Sequence, residues 1–211
     1  VLSPTRELAI QIEETFMSLA ANLNVRSVCI VGGMPFGPQV DGLENAPHVV
    51  IATPGRLLDH MERRTVSLQD IQMLILDEAD RMLDMGFEEQ IDAIMRKMPS
   101  SRQTLLFSAT IEGAAARLAR TSVNNPTNID VTDEVEEIPD VDIRWVELLE
   151  GDKRTTLTDL VEKEEGTILV FCSTRQNTRL CAKMINNAGF KAGEIHSGLD
   201  QRQRSRSLKQ F

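Results

Sequence analysis

The sequence predicts an α/β fold in which helices cover both faces of parallel sheets, arranged as two tandem domains. Short apolar runs rich in β-branched residues alternate with stretches in which apolar residues recur at helical spacing. Strands that alternate with helices favour parallel pairing, because each crossover helix returns the chain to the same edge of the sheet. The 211 residues, 41% hydrophobic and 26% charged, suffice for one domain and part of a second.

Five apolar runs are expected to form buried strands: 25–31, 49–52, 73–76, 104–107 and 168–171. A helical pattern follows each run. From Arg6 to Leu23 the apolar residues hold a helical period, which predicts the first amphipathic helix. The same spacing runs from Ile91 to Met98, where Pro99 is expected to end the helix.

The distribution of charge marks a boundary between two domains. The net charge of −9 alone argues against nucleic-acid binding, but residues 130–165 hold 14 acidic and 4 basic residues. Residues 166–211, in contrast, hold 8 basic and 2 acidic residues. We therefore expect a first domain over 1–132, an acidic linker with the first strand of the next domain over 133–152, and a second domain over 153–211.

Both domains are expected to be truncated. Val1 already lies in a strand-like run, and Phe211 lies inside a helical pattern without a cap. Two short segments also echo each other, because Ser3-Pro4-Thr5-Arg6 and Cys172-Ser173-Thr174-Arg175 each join an apolar run to a helical pattern. This echo favours two copies of one fold over two unrelated domains.

The composition excludes several classes of protein. No apolar stretch approaches the roughly 20 residues needed to span a bilayer, and no secretory signal is recognisable at the start. We therefore expect an intracellular protein without a membrane partner, or one whose targeting segment is missing from this sequence. The cysteines Cys29, Cys172 and Cys181 are odd in number and form no C-x-x-C pair. Inert thiols in a reducing compartment are the simplest interpretation.

The most informative motif is Asp77-Glu78-Ala79-Asp80, which follows the apolar run 73–76. Carboxylates at the carboxyl end of a parallel strand lie where ligands bind in doubly wound folds, and they can hold Mg²⁺ and orient a water molecule. An acidic start to the next helix explains the same residues equally well. The run 104–107 likewise ends in Ser108-Ala109-Thr110, whose hydroxyls could bond the carboxylates or cap a helix.

Taken together, the ordered motifs resemble those of DEAD-box RNA helicases. The motifs are Pro4-Thr5-Arg6-Glu7-Leu8-Ala9, Gly32-Gly33, Thr53-Pro54-Gly55-Arg56, Asp77-Glu78-Ala79-Asp80, Ser108-Ala109-Thr110, Phe171 with Arg175, and the stretch 196–204. The resemblance covers essentially the whole chain. It implies tandem RecA-like domains and ATP and Mg²⁺ as cofactors.

The resemblance also implies roles for the acidic and hydroxyl residues. Asp77 would contact Mg²⁺, partly through water, and Glu78 would activate the water that attacks ATP. Asp80 would link the acidic motif to Ser108 and Thr110, which in the family couple hydrolysis to strand separation.

A larger set matches positions at which the family grips RNA: Pro4, Thr5, Arg6, Gly32, Gly33, Thr53, Pro54, Gly55, Arg56, Phe171, Arg175, Gln201 and Arg204. Helix N-termini, glycines and arginines suit phosphate contacts and read no base. Structural alternatives stand beside these roles, since Gly32 and Gly33 could simply end a strand and Thr53 with Pro54 could start a helix. His196 is interpreted as a strand-end residue rather than a metal ligand.

The pattern G-x-x-x-x-G-K-[ST], which cradles phosphates, is absent and is expected upstream of Val1, while the family's arginine finger is expected downstream of Phe211. The longer protein is therefore expected to be an ATP-dependent RNA helicase that unwinds duplexes locally or remodels ribonucleoproteins, and this fragment alone to be inactive. An RNA- or protein-binding module without turnover is the alternative. A two-metal nuclease would leave the phosphate-gripping turns without a role. Protein cofactors, pathway and compartment, whether cytoplasm, nucleus or nucleolus, stay open.

Overall fold

The computed structural model describes residues 1–131, 141–148 and 152–211, which form two compact units, 1–130 and 131–211. Unit 1 contains ten elements. In chain order they are α1 (Arg6–Leu19), β1 (Ser27–Ile30), α2 (Phe36–Glu44), β2 (Val49–Ala52), α3 (Pro54–Glu62), β3 (Met73–Leu76), α4 (Ala79–Asp84), α5 (Glu88–Met95), β4 (Gln103–Leu106) and α6 (Gly113–Ser122). Four of the five predicted strands form.

All strand pairs of unit 1 are parallel, as predicted. Strand β1 pairs with β2, and β3 pairs with β4. Residues 1–3 lie between the two pairs, because Leu2 forms parallel bridges to both Ala52 and Leu76. The Leu2 N–H donates to the Ile75 carbonyl at 2.8 Å. The sheet order is therefore β1, β2, residues 1–3, β3 and β4.

Helices cover both faces of this sheet. Successive strand residues point to opposite sides, so apolar strand residues need packing partners on both faces. On one face, Val31 and Ile51 pack against Ala9 of α1. On the other face, Ile30 and Leu76 belong to a larger core that includes side chains of α3, α4 and α5. Burying each large aliphatic side chain contributes about 1.5–3 kcal/mol, so the two cores hold the sheet from both sides.

Two predicted helices end earlier than their apolar spacing indicates. Helix α1 ends at Leu19, and Leu23, the last residue of the pattern, is 63% exposed. Helix α5 ends at Met95, after which the Lys97 and Met98 N–H groups donate to carbonyls three residues back. Apolar spacing thus continues into turns that no longer bury a helix face.

The fourth strand is also shifted. Strand β4 covers Gln103–Leu106, and Phe107, which was expected to be buried, is 53% exposed. Among the described residues, this strand pairs only with β3 and therefore lies at the edge of the described sheet.

Unit 2 contains three helices among its described residues: α7 (Lys153–Lys163), α8 (Arg175–Asn187) and α9 (Gln201–Gln210). The predicted buried strand at 168–171 was wrong, since no strand is assigned there and Phe171 is 89% exposed. A strand requires a neighbour that accepts its backbone hydrogen bonds, and no described segment of unit 2 pairs with this run.

The predicted linker and first strand, 133–152, are described only in part. Residues 133–140 and 149–151 lie outside the described residues, and residues 141–148 carry no assigned helix or strand. Trp145 within them is 93% exposed. Among the described residues, no helix has the length and apolarity that crossing a membrane requires.

Candidate functional site

The carboxyl ends of the parallel segments of unit 1 meet at one edge of the sheet, as in other parallel sheets that bind ligands. Five stretches leave this edge: 3–6, 31–35, 53–56, 77–80 and 107–110. They contain every site residue that the sequence predicts in unit 1. The topology therefore collects the acidic motif and the predicted phosphate-gripping turns on the same side of the molecule.

The acidic motif forms a tight turn between β3 and α4. The Asp77 N–H donates to the Leu2 carbonyl at 3.0 Å, and Glu78 follows with φ 49° and ψ 54°, in the left-handed region. A non-glycine residue held there costs about 1–3 kcal/mol and points to a functional constraint. Glu78 occupies the N-cap of α4 without a capping hydrogen bond, so helix capping does not account for its carboxylate.

Asp80 joins this turn to the end of β4. Its carboxylate accepts from the Thr110 N–H at 3.1 Å and from the Thr110 hydroxyl at 3.3 Å. Its own N–H donates to Ser108 Oγ at 3.2 Å, and the Ser108 hydroxyl donates to the Thr110 carbonyl at 2.6 Å. Desolvation alone would raise the pKa of Asp80, but hydrogen bonds from the Arg81 and Thr110 N–H groups outweigh it and lower the pKa.

The residues at this turn fit a magnesium ion that is shared with a phosphate ligand. Asp77 is half-buried, and one of its carboxylate oxygens accepts from the Glu78 N–H at 3.1 Å. Among the described residues, no group of three potential ligands from His, Cys, Asp or Glu exists. Mg²⁺ commonly takes one or two protein carboxylates and completes its shell with phosphates and water, so a single carboxylate suits it.

The two glycines after β1 make room for an arginine. Gly33 has φ +74°, and a Cβ placed on it would lie 2.6 Å from the Arg6 guanidinium carbon. A Cβ on Gly32 would lie 3.6 Å from Arg6 Nη2. The positive φ favours glycine at Gly33, and a side chain there would displace the Arg6 guanidinium, so this residue does more than end a strand.

The predicted turn residues differ in what they expose. Thr5 caps α1 by accepting from the Leu8 N–H at 3.2 Å. Thr53 is the N-cap of α3 but makes no capping hydrogen bond, and its side chain is buried. Pro4 and Pro54 are also buried, so they shape the backbone rather than present a side chain to a ligand.

Arg56 lies on α3 close to the loop 31–35. Its Nη1 donates to the Met34 carbonyl at 3.1 Å, and its guanidinium lies 5.7 Å from the centre of the Phe36 ring. Asp59, one turn further along α3, lies 3.7 Å from Arg56 Nε. Gly55 lies beside α5, since a Cβ on it would lie 3.4 Å from Gln90 Oε1. These contacts hold the Arg56 side chain against the loop and restrict its rotamers.

Sequence reasoning missed two buried polar residues beside this loop, Gln39 on α2 and His60 on α3. Gln39 is 5% exposed and His60 is fully buried, and their side chains are 3.3 Å apart. One signal was available, because His60 lies four residues after Arg56 and hence on the same side of a helix.

The predicted residues of unit 2 surround the starts of α8 and α9. Phe171 is exposed, and Arg175 is the first residue of α8, with its Cδ 3.5 Å from a Cβ placed on Gly198. Gln201 is the first residue of α9 and is buried, and Arg204 follows one turn later.

His196 lies in no assigned strand, contrary to expectation. Its side chain is 5% exposed, and its ring contacts the Gly198 N–H and Arg179 Nε at 3.1 and 3.2 Å. These contacts give His196 a local structural role.

The two units share a local arrangement that the sequence echo predicts. Thr174 caps α8 by accepting from the Asn177 N–H at 3.1 Å, as Thr5 caps α1. The arginine after each threonine, Arg6 or Arg175, lies against a glycine of a later loop. The same turn is thus built twice from the same residue types.

Comparison with known proteins agrees with this arrangement. The DEAD/DEAH box helicase profile matches residues 1–118, which is more than half of the chain. The chain belongs to the DEAD/DEAH box helicase family. The profile of the helicase conserved C-terminal domain matches residues 152–211.

Curated relatives from bacteria and yeast resemble the chain equally. It is 41% identical over its whole length to the ATP-dependent RNA helicase DbpA of Escherichia coli, and it covers 46% of that protein. It is also 41% identical over its whole length to the ATP-dependent rRNA helicase RRP3 of Meyerozyma guilliermondii, of which it covers 45%. The chain therefore spans about half the length of these relatives.

A solved structure supports the fold assignment. The crystal structure of a DEAD box protein from the hyperthermophile Methanococcus jannaschii matches with a TM-score of 0.60 and 37% identity. The match covers 99% of this chain and 56% of the other. The α/β fold predicted from the sequence, with RecA-like character, is confirmed.

Proposed function

We propose that the protein to which this chain belongs is an ATP-dependent RNA helicase that couples ATP hydrolysis to local unwinding of RNA or remodelling of ribonucleoproteins. One observation carries the proposal: the acidic turn 77–80 and the contact of Arg6 with Gly33 lie at the same edge of one parallel sheet. A carboxylate pair suits metal-bound nucleotide, and guanidinium and glycine amide groups suit phosphates of a second ligand. The naming of the relatives DbpA and RRP3 supports the same assignment.

In this proposal Asp77 holds Mg²⁺, in part through water, and Glu78 positions and deprotonates the attacking water. Bound ATP and Mg²⁺ supply the transferable phosphoryl group and the neutralising charge. The contact of Glu78 with Arg81 at 3.3 Å is exposed and weak, so it leaves the carboxylate accessible to a ligand. Asp80, Ser108 and Thr110 pass the state of the nucleotide site to the end of β4.

RNA is the proposed partner along the neighbouring turns. Arg6, Gly33, Gly55 and Arg56 supply backbone contacts in the first domain, for which we propose the limits 1–132. Phe171, Arg175, Gln201 and Arg204 supply contacts in a second domain over 153–211, joined by the segment 133–152. Such contacts read phosphates and sugars rather than bases, so binding is sequence-independent. Pro4, Thr5, Gly32, Thr53 and Pro54 shape the turns that present these groups.

The proposal extends to an intracellular protein that works on RNA with protein cofactors or within ribonucleoprotein assemblies. The equal identity to a bacterial and a yeast relative assigns neither a pathway nor a compartment. A tagged full-length protein, located by imaging and purified after crosslinking to RNA, distinguishes cytoplasmic from nuclear or nucleolar work.

RNA-stimulated ATP hydrolysis by the full-length protein tests the proposed activity. Glu78→Gln preserves the size of the side chain and removes the base, so we expect retained ATP and RNA binding and loss of most turnover, on the order of 100-fold or more. Glu88→Gln is the matched control, because Glu88 is an exposed acid on α5 that only approaches Arg117 at 3.9 Å.

The competing function has a distinct outcome. A full-length protein that binds RNA but hydrolyses no ATP would be a binding module, and the motif 77–80 would then have no catalytic role. The 211-residue chain, assayed alongside, is expected to show no appreciable hydrolysis, because it contains no phosphate-cradling G-x-x-x-x-G-K-[ST] motif. Turnover by Glu78→Gln equal to that of the unaltered protein would remove Glu78 from the mechanism.

A further inference from the structure

Two buried polar side chains connect the loop 31–35 to helix α3. Gln39 on α2 is 5% exposed, and His60 on α3 is fully buried. Buried polar groups are costly unless they are hydrogen-bonded, and neither residue belongs to the proposed nucleotide or RNA contacts. Their partners show what they hold in place.

Gln39 donates hydrogen bonds to carbonyl groups of the loop. Its Nε2 donates to the Pro35 carbonyl at 3.1 Å and to the Val31 carbonyl at 3.2 Å, with the Met34 carbonyl at 3.5 Å. Because carbonyls only accept, the nitrogen of the side-chain amide must face the loop. Its oxygen, Oε1, therefore faces the His60 ring.

This orientation requires a hydrogen on Nε2 of the His60 ring. Gln39 Oε1 lies 3.3 Å from His60 Nε2 and can only accept, so Nε2 carries a hydrogen. Nδ1 lies 2.8 Å from Thr65 Oγ1, whose hydroxyl donates to the His60 carbonyl at 3.0 Å. Desolvation, followed by the positive charge of Arg56, lowers the pKa of His60.

Phe36 and the loop carbonyls connect Gln39 and His60 to the predicted RNA-binding residues. The Phe36 ring stacks on His60 with centroids 4.1 Å apart, at the start of α2 just after the loop. The loop carbonyl of Met34, next to those held by Gln39, accepts from Arg56. Within the described part of the chain, no group accepts from the N–H of Gly33 or Met34. The carbonyls of Val31, Met34 and Pro35 are thus engaged on the protein, while the Gly33 and Met34 amides are available for an anion.

We infer that Gln39 and His60 are positioning residues for RNA binding, which hold the loop 31–35 against α3 and so set the spacing between its free amides and Arg56. Neither residue touches RNA. The inference rests on the proposed function, because the spacing matters only if the loop and Arg56 engage neighbouring phosphates of one strand. Breaking the pair is expected to loosen the loop and to weaken RNA binding without altering the chemistry at Glu78.

Two variants of His60 in the full-length protein separate this role from a structural one. His60→Gln carries an amide nitrogen near the position of Nε2 and preserves the donor to Gln39. His60→Asn carries its amide near the position of Nδ1 and loses that donor. Both are neutral and polar, but His60→Asn leaves Gln39 Oε1 without a donor, so its melting temperature is expected to be the lower of the two.

The readouts are the dissociation constant for a single-stranded RNA and the RNA concentration that half-saturates ATP hydrolysis. For His60→Asn we expect both values to rise about fivefold, which corresponds to the loss of one hydrogen bond. The maximal rate of hydrolysis is expected to stay within twofold of that of the unaltered protein. His60→Gln is expected to stay within twofold of the unaltered protein on both readouts.

A paired substitution tests the contact by another route. Gln39→Leu with His60→Leu removes both partners, and the loop carbonyls lose the donor that holds them, so it is expected to lower the melting temperature and to bind RNA at least as weakly as His60→Asn. Unaltered RNA affinity in this variant, or equal affinities for His60→Asn and His60→Gln, would overturn the inference while leaving the helicase assignment intact. If the unaltered protein binds no RNA, the proposed function fails, and the inference fails with it.

Discussion

The carboxylate of Asp80 accepts two hydrogen bonds from Thr110, one from its backbone N–H at 3.1 Å and one from its hydroxyl at 3.3 Å. Asp80 follows β3 and Thr110 follows β4, so this pair joins the ends of neighbouring strands. The pair therefore provides a direct contact between the acidic turn and the segment after β4.

The Thr110 amide is expected to report the titration of Asp80. The pKa of Asp80 lies below its usual value, so the deprotonated form favours the folded state. That stabilisation is fully present above the pKa of the unfolded chain, about 3.9, and is lost as the pH falls through the lower folded value. In two-dimensional NMR spectra the Thr110 resonance should shift with a midpoint below 3.9, and the Asp80→Asn variant should lack this transition. An unshifted midpoint would contradict the hydrogen-bonded pair.

Gly33→Ala is expected to displace Arg6. The added Cβ would overlap the guanidinium, and φ +74° disfavours alanine by about 1 kcal/mol. We expect a loss of stability of about that size in urea unfolding, together with weaker RNA binding, because the side chain of Arg6 must move. Gly37→Ala is the matched control, since a Cβ there meets nothing within 4 Å. Equal effects of the two variants would show that the contact of Arg6 with Gly33 is not required.

Arg56→Ala is expected to weaken RNA binding and to reduce its salt dependence by about one phosphate contact. The binding constant should be measured at several salt concentrations in the full-length protein. Lys97→Ala removes the same charge from an exposed residue beyond α5 and should leave the slope unchanged. A slope that is identical in Arg56→Ala and the unaltered protein would exclude a phosphate contact by Arg56.

Thr5→Ala and Thr174→Ala are each expected to destabilise their own unit by about 1 kcal/mol, because each removes the acceptor for an N–H in the first turn of a helix. Serine at either position keeps the acceptor and should restore most of the loss. Hydrogen exchange at the Leu8 and Asn177 amides gives the local readout. Unaltered exchange at those amides would show that the caps do not stabilise the helices.

Much of unit 1 was predictable because its signals are local. The four runs that form strands are short, apolar and bounded by polar or turn residues, and strands joined by crossover helices favour parallel pairing. The acidic turn and the hydroxyls of Ser108 and Thr110 were placed at strand ends by the same reasoning. The run 168–171 has equal strand propensity but no described neighbour, which shows that pairing rather than propensity decides whether a strand forms.

The contact between Gln39 and His60 could not be predicted. In the sequence they are a glutamine and a histidine 21 positions apart, and each is ordinary for an exposed helix surface. Their importance arises because β1 and β2 bring α2 and α3 together and exclude water from the space between them. Likewise, the burial of Pro4 and Pro54 follows from packing that no motif encodes.

The sequence by itself determined the parallel α/β fold, the identity of the acidic and hydroxyl motifs, and the repeated threonine–arginine turn, because these depend on composition and short-range spacing. Only the tertiary structure decided that Leu2 bridges β2 and β3, that Asp80 bonds to Thr110, and that Gln39 and His60 connect the glycine loop to α3. These contacts join residues far apart in the chain. Their geometry is set when the two faces of the sheet bury their apolar side chains together.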